Sequence, residues 1–175
     1  MFLNVISSFE VAFYLLERAK KENRVVKPLK LQALLFLAQT YYAITYKEKF
    51  MPAVFVAHTD GPLEPNIFFA LSCGLQNPNS VILISQKKKI YLDTIWKKFG
   101  SLSSEKLQNI CKNTSAYNKA SKRGECSEIS FEEMHSSFSN KDSVPLSGNA
   151  GKSRFMRNQS GNPVQVTAWQ PKAKK

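Results

Sequence analysis

The sequence predicts a mainly α-helical domain, an α+β arrangement of about six helices with a small two-stranded β element, followed by a disordered basic C-terminal tail. Three observations predict it. Apolar residues recur at helical spacing in several separate segments before residue 140. The β-like runs are short, FMPAVFVA at 50–57 and VILI at 81–84. Beyond Asn140 the periodicity stops and Gly, Ser, Asn, Pro and Lys dominate. The domain is therefore placed at residues 1–140 and the tail at 141–175.

The elements follow in order. Ser7 or Ser8 caps a first helix with Glu10 in its first turn. Phe9, Ala12, Phe13, Leu16 and Ala19 form its apolar stripe, and Asn23 is its stop. Pro28 opens a second helix, where a missing N–H costs nothing. Its charge-free stretch from Leu31 to Thr45 is apolar round most of its circumference, which places it centrally. Pro52 breaks the 50–57 run into an edge strand or hairpin arm. Asp60-Gly61-Pro62 reads as a turn, and Pro62 or Pro65 starts a third helix through Phe68, Phe69 and Leu71. The 81–84 run is expected to pair with 53–57. A fourth helix starts near Gln86 and stops at Gly100. Ser103 or Ser104 caps a fifth, a short sixth spans Ala116 to Lys122, and Ser130 with Glu133 makes a capping box for a last short helix ending near Phe138.

The formal net charge of +12 is unevenly spread. Residues 1–140 carry 18 basic and 12 acidic groups, whereas 141–175 carry seven basic against one acidic. Such a balance favours a polyanion or an acidic protein. The three cysteines, Cys73, Cys111 and Cys126, are odd in number and lack CxxC spacing, so neither a disulfide framework nor a zinc site is expected. Reduced thiols point to the cytoplasm. Glu10, Glu17 and Arg18 in the first helix argue for a core element rather than a signal peptide, and no apolar run approaches the roughly 20 residues of a membrane span.

No catalytic signature emerges. His58 and His135 are the only histidines and have no nucleophile motif beside them. Glu132 and Glu133 are adjacent, so they do not share a helical face. Gly151-Lys152-Ser153 resembles the end of a phosphate loop, but the earlier Gly and a preceding strand are missing. No enzyme activity, cofactor or metal is expected.

Two signals stand at a fixed distance: Leu29-Lys30-Leu31-Gln32-Ala33-Leu34 with Ala38-Gln39, and Ala57-His58-Thr59-Asp60-Gly61-Pro62-Leu63-Glu64-Pro65. Phe99-Gly100 before Ser103-Ser104, Tyr117-Asn118-Lys119-Ala120 and Ile129 follow in order. Together they resemble the Panacea domain, the module of bacterial and phage antitoxins and proteolytic adaptors, over about residues 5–140. Ala33 replaces the family's usual lysine, His58 a Trp, Asp60 an aromatic, and Lys112-Asn113 a Thr-His. These departures point to a different partner, or to a chain that keeps only the fold. The resemblance implies another protein, a toxin or client, as partner, bound without chemistry.

Lys30, Gln32, His58, Asp60, Gly61, Pro62 and Tyr117 are the family-like binding positions. Lys30 sits in the first turn of a helix, where a cation is disfavoured, so a carbonyl or carboxylate near Gly61 is expected to hold it. The plainer reading is that Lys30 snorkels and Gln32 bonds a loop. Gly61 and Pro62 serve the backbone first, one by permitting positive φ and the other by presetting a helix start. Lys87, Lys88, Lys89, Lys152, Arg154 and Arg157 are candidate electrostatic contacts. With Phe155 and Trp169 in the tail they keep a nucleic-acid-binding reading open, beside that of a secreted effector with a basic C-terminal signal.

Overall fold

The computed structural model describes residues 7–74 and 84–137, with the strand backbones at 154–157 and 163–166. The chain divides into two compact units, Met1–Val144 and Pro145–Lys175.

The first unit is built on its second helix. α1 (Ser8–Lys21) starts where Ser7 Oγ accepts the Phe9 N–H, and past its end Asn23 takes a φ of 53°. α2 (Pro28–Tyr46) follows, with Pro28 in its first turn. Every residue from Leu31 to Ala43 is buried, so this helix has no solvent face over more than three turns. α1, most of the later helices and the sheet pack around it. Tyr14 and Arg18 of α1 both reach Asp93 Oδ1 at 3.0 Å, which ties α1 to α4 (Gln86–Phe99).

The β element has three strands rather than two. β1 (Phe55–His58) lies between β2 (Gly61–Leu63) and β3 (Ser127–Ile129), antiparallel to both. Phe55 pairs with Ile129 and His58 with Gly61, so Thr59 and Asp60 alone form the hairpin loop. The expected pairing of 81–84 with 53–57 falls on a run that is mostly not described, and the partners that β1 shows are β2 and β3. Residues 81–83 lie outside the described residues, and Ile84 is buried just ahead of α4. The third strand escaped the sequence because three residues carry no periodicity.

α3 (Pro65–Ser72) begins at Pro65 with Glu64 as its cap, so Pro62 belongs to β2 and not to a helix start. α5 (Ser104–Lys112) is capped by Ser103, α6 (Ser115–Arg123) by Thr114, and α7 (Phe131–His135) by the Ser130–Glu133 box. The described residues thus hold seven helices, against an expectation of about six. Arg123 grips Glu133 and also donates to Glu128 O at 2.5 Å, fastening α6 to α7 and β3. That grip holds the Glu133 carboxyl below its ordinary range.

In the second unit, β4 (Arg154–Arg157) and β5 (Pro163–Val166) form an antiparallel ladder, Arg154 facing Val166 and Arg157 facing Pro163. Both strands lie within the span read from the sequence as the basic tail. RFMR and PVQV are each too short to show an alternation among Gly, Ser and Asn.

Gly100 caps α4 with ordinary right-handed geometry, φ −60°. It is glycine for space and not for conformation. An added Cβ would lie 2.6 Å from Trp96 O and 2.7 Å from the indole. Gly100→Ala should therefore destabilise by about 1–3 kcal/mol, as overpacking does, read as a lower denaturant midpoint. Leu35, fully buried in α2, should cost about 2–5 kcal/mol when cut to Ala. A midpoint unchanged by Leu35→Ala would contradict the central placement of α2.

Candidate protein-binding face

Two buried glutamines of α2 build this face. Gln39 Oε1 accepts the N–H groups of Phe50 and Met51 at 3.2 and 3.1 Å. Gln32 Oε1 accepts the N–H of Glu64 at 2.7 Å. They stand seven residues apart, about two helical turns, and so share a side of α2. Between them they fasten both ends of the excursion that carries β1 and β2.

The hairpin is fixed at its tip from α6. Tyr117 Oη donates to the His58 carbonyl at 2.7 Å. Burial, with Asp60 nearby, raises the Tyr117 phenol above its usual range. His58 Nδ1 accepts the Asp60 N–H at 3.2 Å and lies 3.7 Å from Asp60 Oδ2. Gly61 follows with φ +126°, a region that favours glycine, and faces the Gln108 and Lys112 side chains. Glu64 is buried, and its carboxylate caps α3 by accepting the Ile67 N–H at 2.6 Å and the Asn66 amide at 3.1 Å.

Gln32, His58, Asp60, Gly61, Pro62 and Tyr117 therefore meet around one hairpin. Most work as framework: Gln32, Gly61, Pro62 and Tyr117 are buried, and only the Thr59–Asp60 tip is exposed. Lys30 goes elsewhere. Its Nζ donates to the Gly100 carbonyl at 2.8 Å, with Arg24 on the same oxygen at 3.3 Å. The expected carbonyl exists but is not at the Gly61 turn. The C-terminal end of a helix gathers unpaired carbonyls and negative charge, which attracts cations more strongly than a turn does. Burial and then Arg24 lower the Lys30 ammonium's pKa.

Lys87, Lys88 and Lys89 lie in the first turn of α4, at the opposite end of the 14-residue helix from Gly100, about 20 Å away. They do not join the hairpin. Arg154 and Arg157 belong to β4 in the second unit, and Lys152 lies outside the described residues.

The exposed part of the face was missed in the sequence. A cleft of about 370 Å³ is lined by Lys27, Pro28 and Leu29 at the start of α2, Asp60 at the hairpin tip, Phe68 and Ser72 of α3, and Ser104 of α5. Phe69, next to Phe68 in sequence and not part of the lining, is 71% exposed. The signal was present: Ile67-Phe68-Phe69-Ala70-Leu71 is apolar throughout, yet an eight-residue helix buries only Ile67. A second, polar cleft of about 510 Å³ lies along α6 among Asn113, Ser115, Asn118, Lys119, Lys122, Ser136 and Ser137.

Among the described residues no three His, Cys, Asp or Glu side chains gather as metal ligands, and no helix is long and apolar enough to cross a membrane. The cysteines are free thiols, and burial pushes Cys111 far up while its Sγ–H reaches Ala33 O at 3.8 Å. No protein-family model, curated protein or solved structure matches the chain.

Gln39→Leu should leave the Phe50 and Met51 N–H groups unpaired. An expected loss of about 1–3 kcal/mol per buried orphan is measurable by denaturant unfolding. Tyr117→Phe should cost less, about 1 kcal/mol. An equal or larger cost for Tyr117→Phe would show that α6, not α2, fixes the hairpin.

Proposed function

We propose that the chain is a protein-recognition module of the Panacea kind, an antitoxin or adaptor that binds a partner protein in the cytoplasm and neutralises it or delivers it for proteolysis. One observation carries the reading: α3 leaves Phe69 exposed next in sequence to Phe68, which lines a cleft together with Asp60 of the family-like hairpin. Exposed aromatic surface next to a concavity is what a protein partner buries. The complex would act by covering the partner's working surface, with no bond made or broken.

A second reading has its own observation. Residues 145–175 carry six basic side chains and no acidic one, which suits a nucleic acid bound through the second unit.

Photo-crosslinking in the native host separates them. With p-benzoylphenylalanine in place of Phe69, a covalent protein adduct is expected. The same probe in place of Ile90, exposed on α4, should give none. An adduct only from position 90 would overturn the assignment of this face. Binding abolished by nuclease, or by neutralising Arg154 and Arg157, would favour the second reading.

A further inference from the structure

We infer that the cleft between α2, α3 and α5 takes a short linear segment of the partner that presents one aromatic or branched aliphatic side chain flanked by acidic residues. This rests on the protein-recognition reading and specifies what is recognised. The apolar part of the lining is Pro28 and Leu29 on one wall and Phe68 on the other. The volume of about 370 Å³ suits an anchoring side chain and its neighbours rather than a whole folded surface. Ser104 supplies a hydroxyl for a peptide backbone laid along the cleft, and Ser72, whose Oγ donates to Phe68 O at 2.8 Å, keeps acceptor capacity only.

Charge selects the flanks. Lys27 lines the cleft, is exposed, and makes no ion pair among the described residues. Arg24 and Lys30 converge on Gly100 O, four residues before Ser104, and Lys112 lies against Gly61 beside Asp60. The acids on these same turns are Asp60, which also lines the cleft, Glu105, and Glu22, which pairs with Arg24 at 3.3 Å. Cations outnumber them. A segment carrying Asp or Glu next to its anchor meets Lys27, whereas one flanked by Lys or Arg is repelled.

The test uses the full chain and a displayed random-peptide library as probe. Selected peptides are measured by fluorescence anisotropy against the wild type, Lys27→Glu, Leu29→Glu and Ile90→Glu. The expected result is enrichment of an aromatic or branched aliphatic residue next to Asp or Glu. Affinity should fall about tenfold or more in Lys27→Glu and Leu29→Glu, and not in Ile90→Glu. High salt should shrink the Lys27→Glu effect and leave the Leu29→Glu effect. Lys27 is exposed, so its variant keeps the test decisive if a melting curve shows Leu29→Glu misfolded. No enrichment, basic flanks, or peptides that bind Lys27→Glu as well as wild type would overturn the inference. A partner crosslinked at position 69 together with any of those results removes this inference and leaves protein recognition standing. Absence of that crosslink, with cleft-binding peptides in hand, removes Phe69 from the contact and leaves the cleft as the peptide site.

Discussion

The structure depends on a polar constraint inside an apolar helix. α2 is buried along its length, and two of its buried positions are amides. A glutamine in such a place is costly unless its oxygen is used. Gln39 spends its oxygen on Phe50 and Met51, and Gln32 spends its own on Glu64. Residues 50–64 would otherwise bring unpaired backbone donors against the core. The helix thus supplies hydrogen bonds that the short strands cannot. It sets where β1, β2 and the start of α3 stand, and hence where the cleft opens. The Gln32 Nε2 donor is buried without a partner, so the acceptor of this amide is what the fold relies on.

The remaining walls are held by terminal chemistry. The Gly100 carbonyl, at the end of α4, receives Lys30 and Arg24. This joins the start of α2 to the end of α4 and sets the α5 cap close by. Phe50, Tyr42 and Tyr91 pack ring against ring, with centroids 4.9 to 5.2 Å apart, and Tyr91 Oη donates to Ala38 O at 2.6 Å. The aromatic cluster and Gln39 therefore secure the same loop from two sides. Against so fixed a frame, Phe69 of α3 is one of the large apolar side chains left exposed among the described residues, with Val25, Tyr46, Val54 and Ile90.

Much of this was legible because it is local. Caps declare themselves in sequence: Ser7, Ser103 and the Ser130–Glu133 box each bond within three residues. The apolar run of α2 announced a central helix, since no other position suits a helix without a polar face. Gly61 and its positive φ follow from the same near-neighbour logic. The partner of Lys30, the strand order and the use of Pro62 were not legible. Each depends on residues far along the chain.

By itself, the sequence determined the helices, their ends, the buried character of α2 and the split in charge after residue 140. These follow from propensity, periodicity and composition, which act over a few residues. Tertiary structure decided that β1 pairs with residues 127–129, that Lys30 finds Gly100, and that Leu29, Asp60, Phe68 and Ser104 line one cleft. Their encounter depends on how four elements pack around α2. Packing is chosen by the whole core's volume and by hydrogen bonds between distant residues, which leave no mark in any short window of sequence.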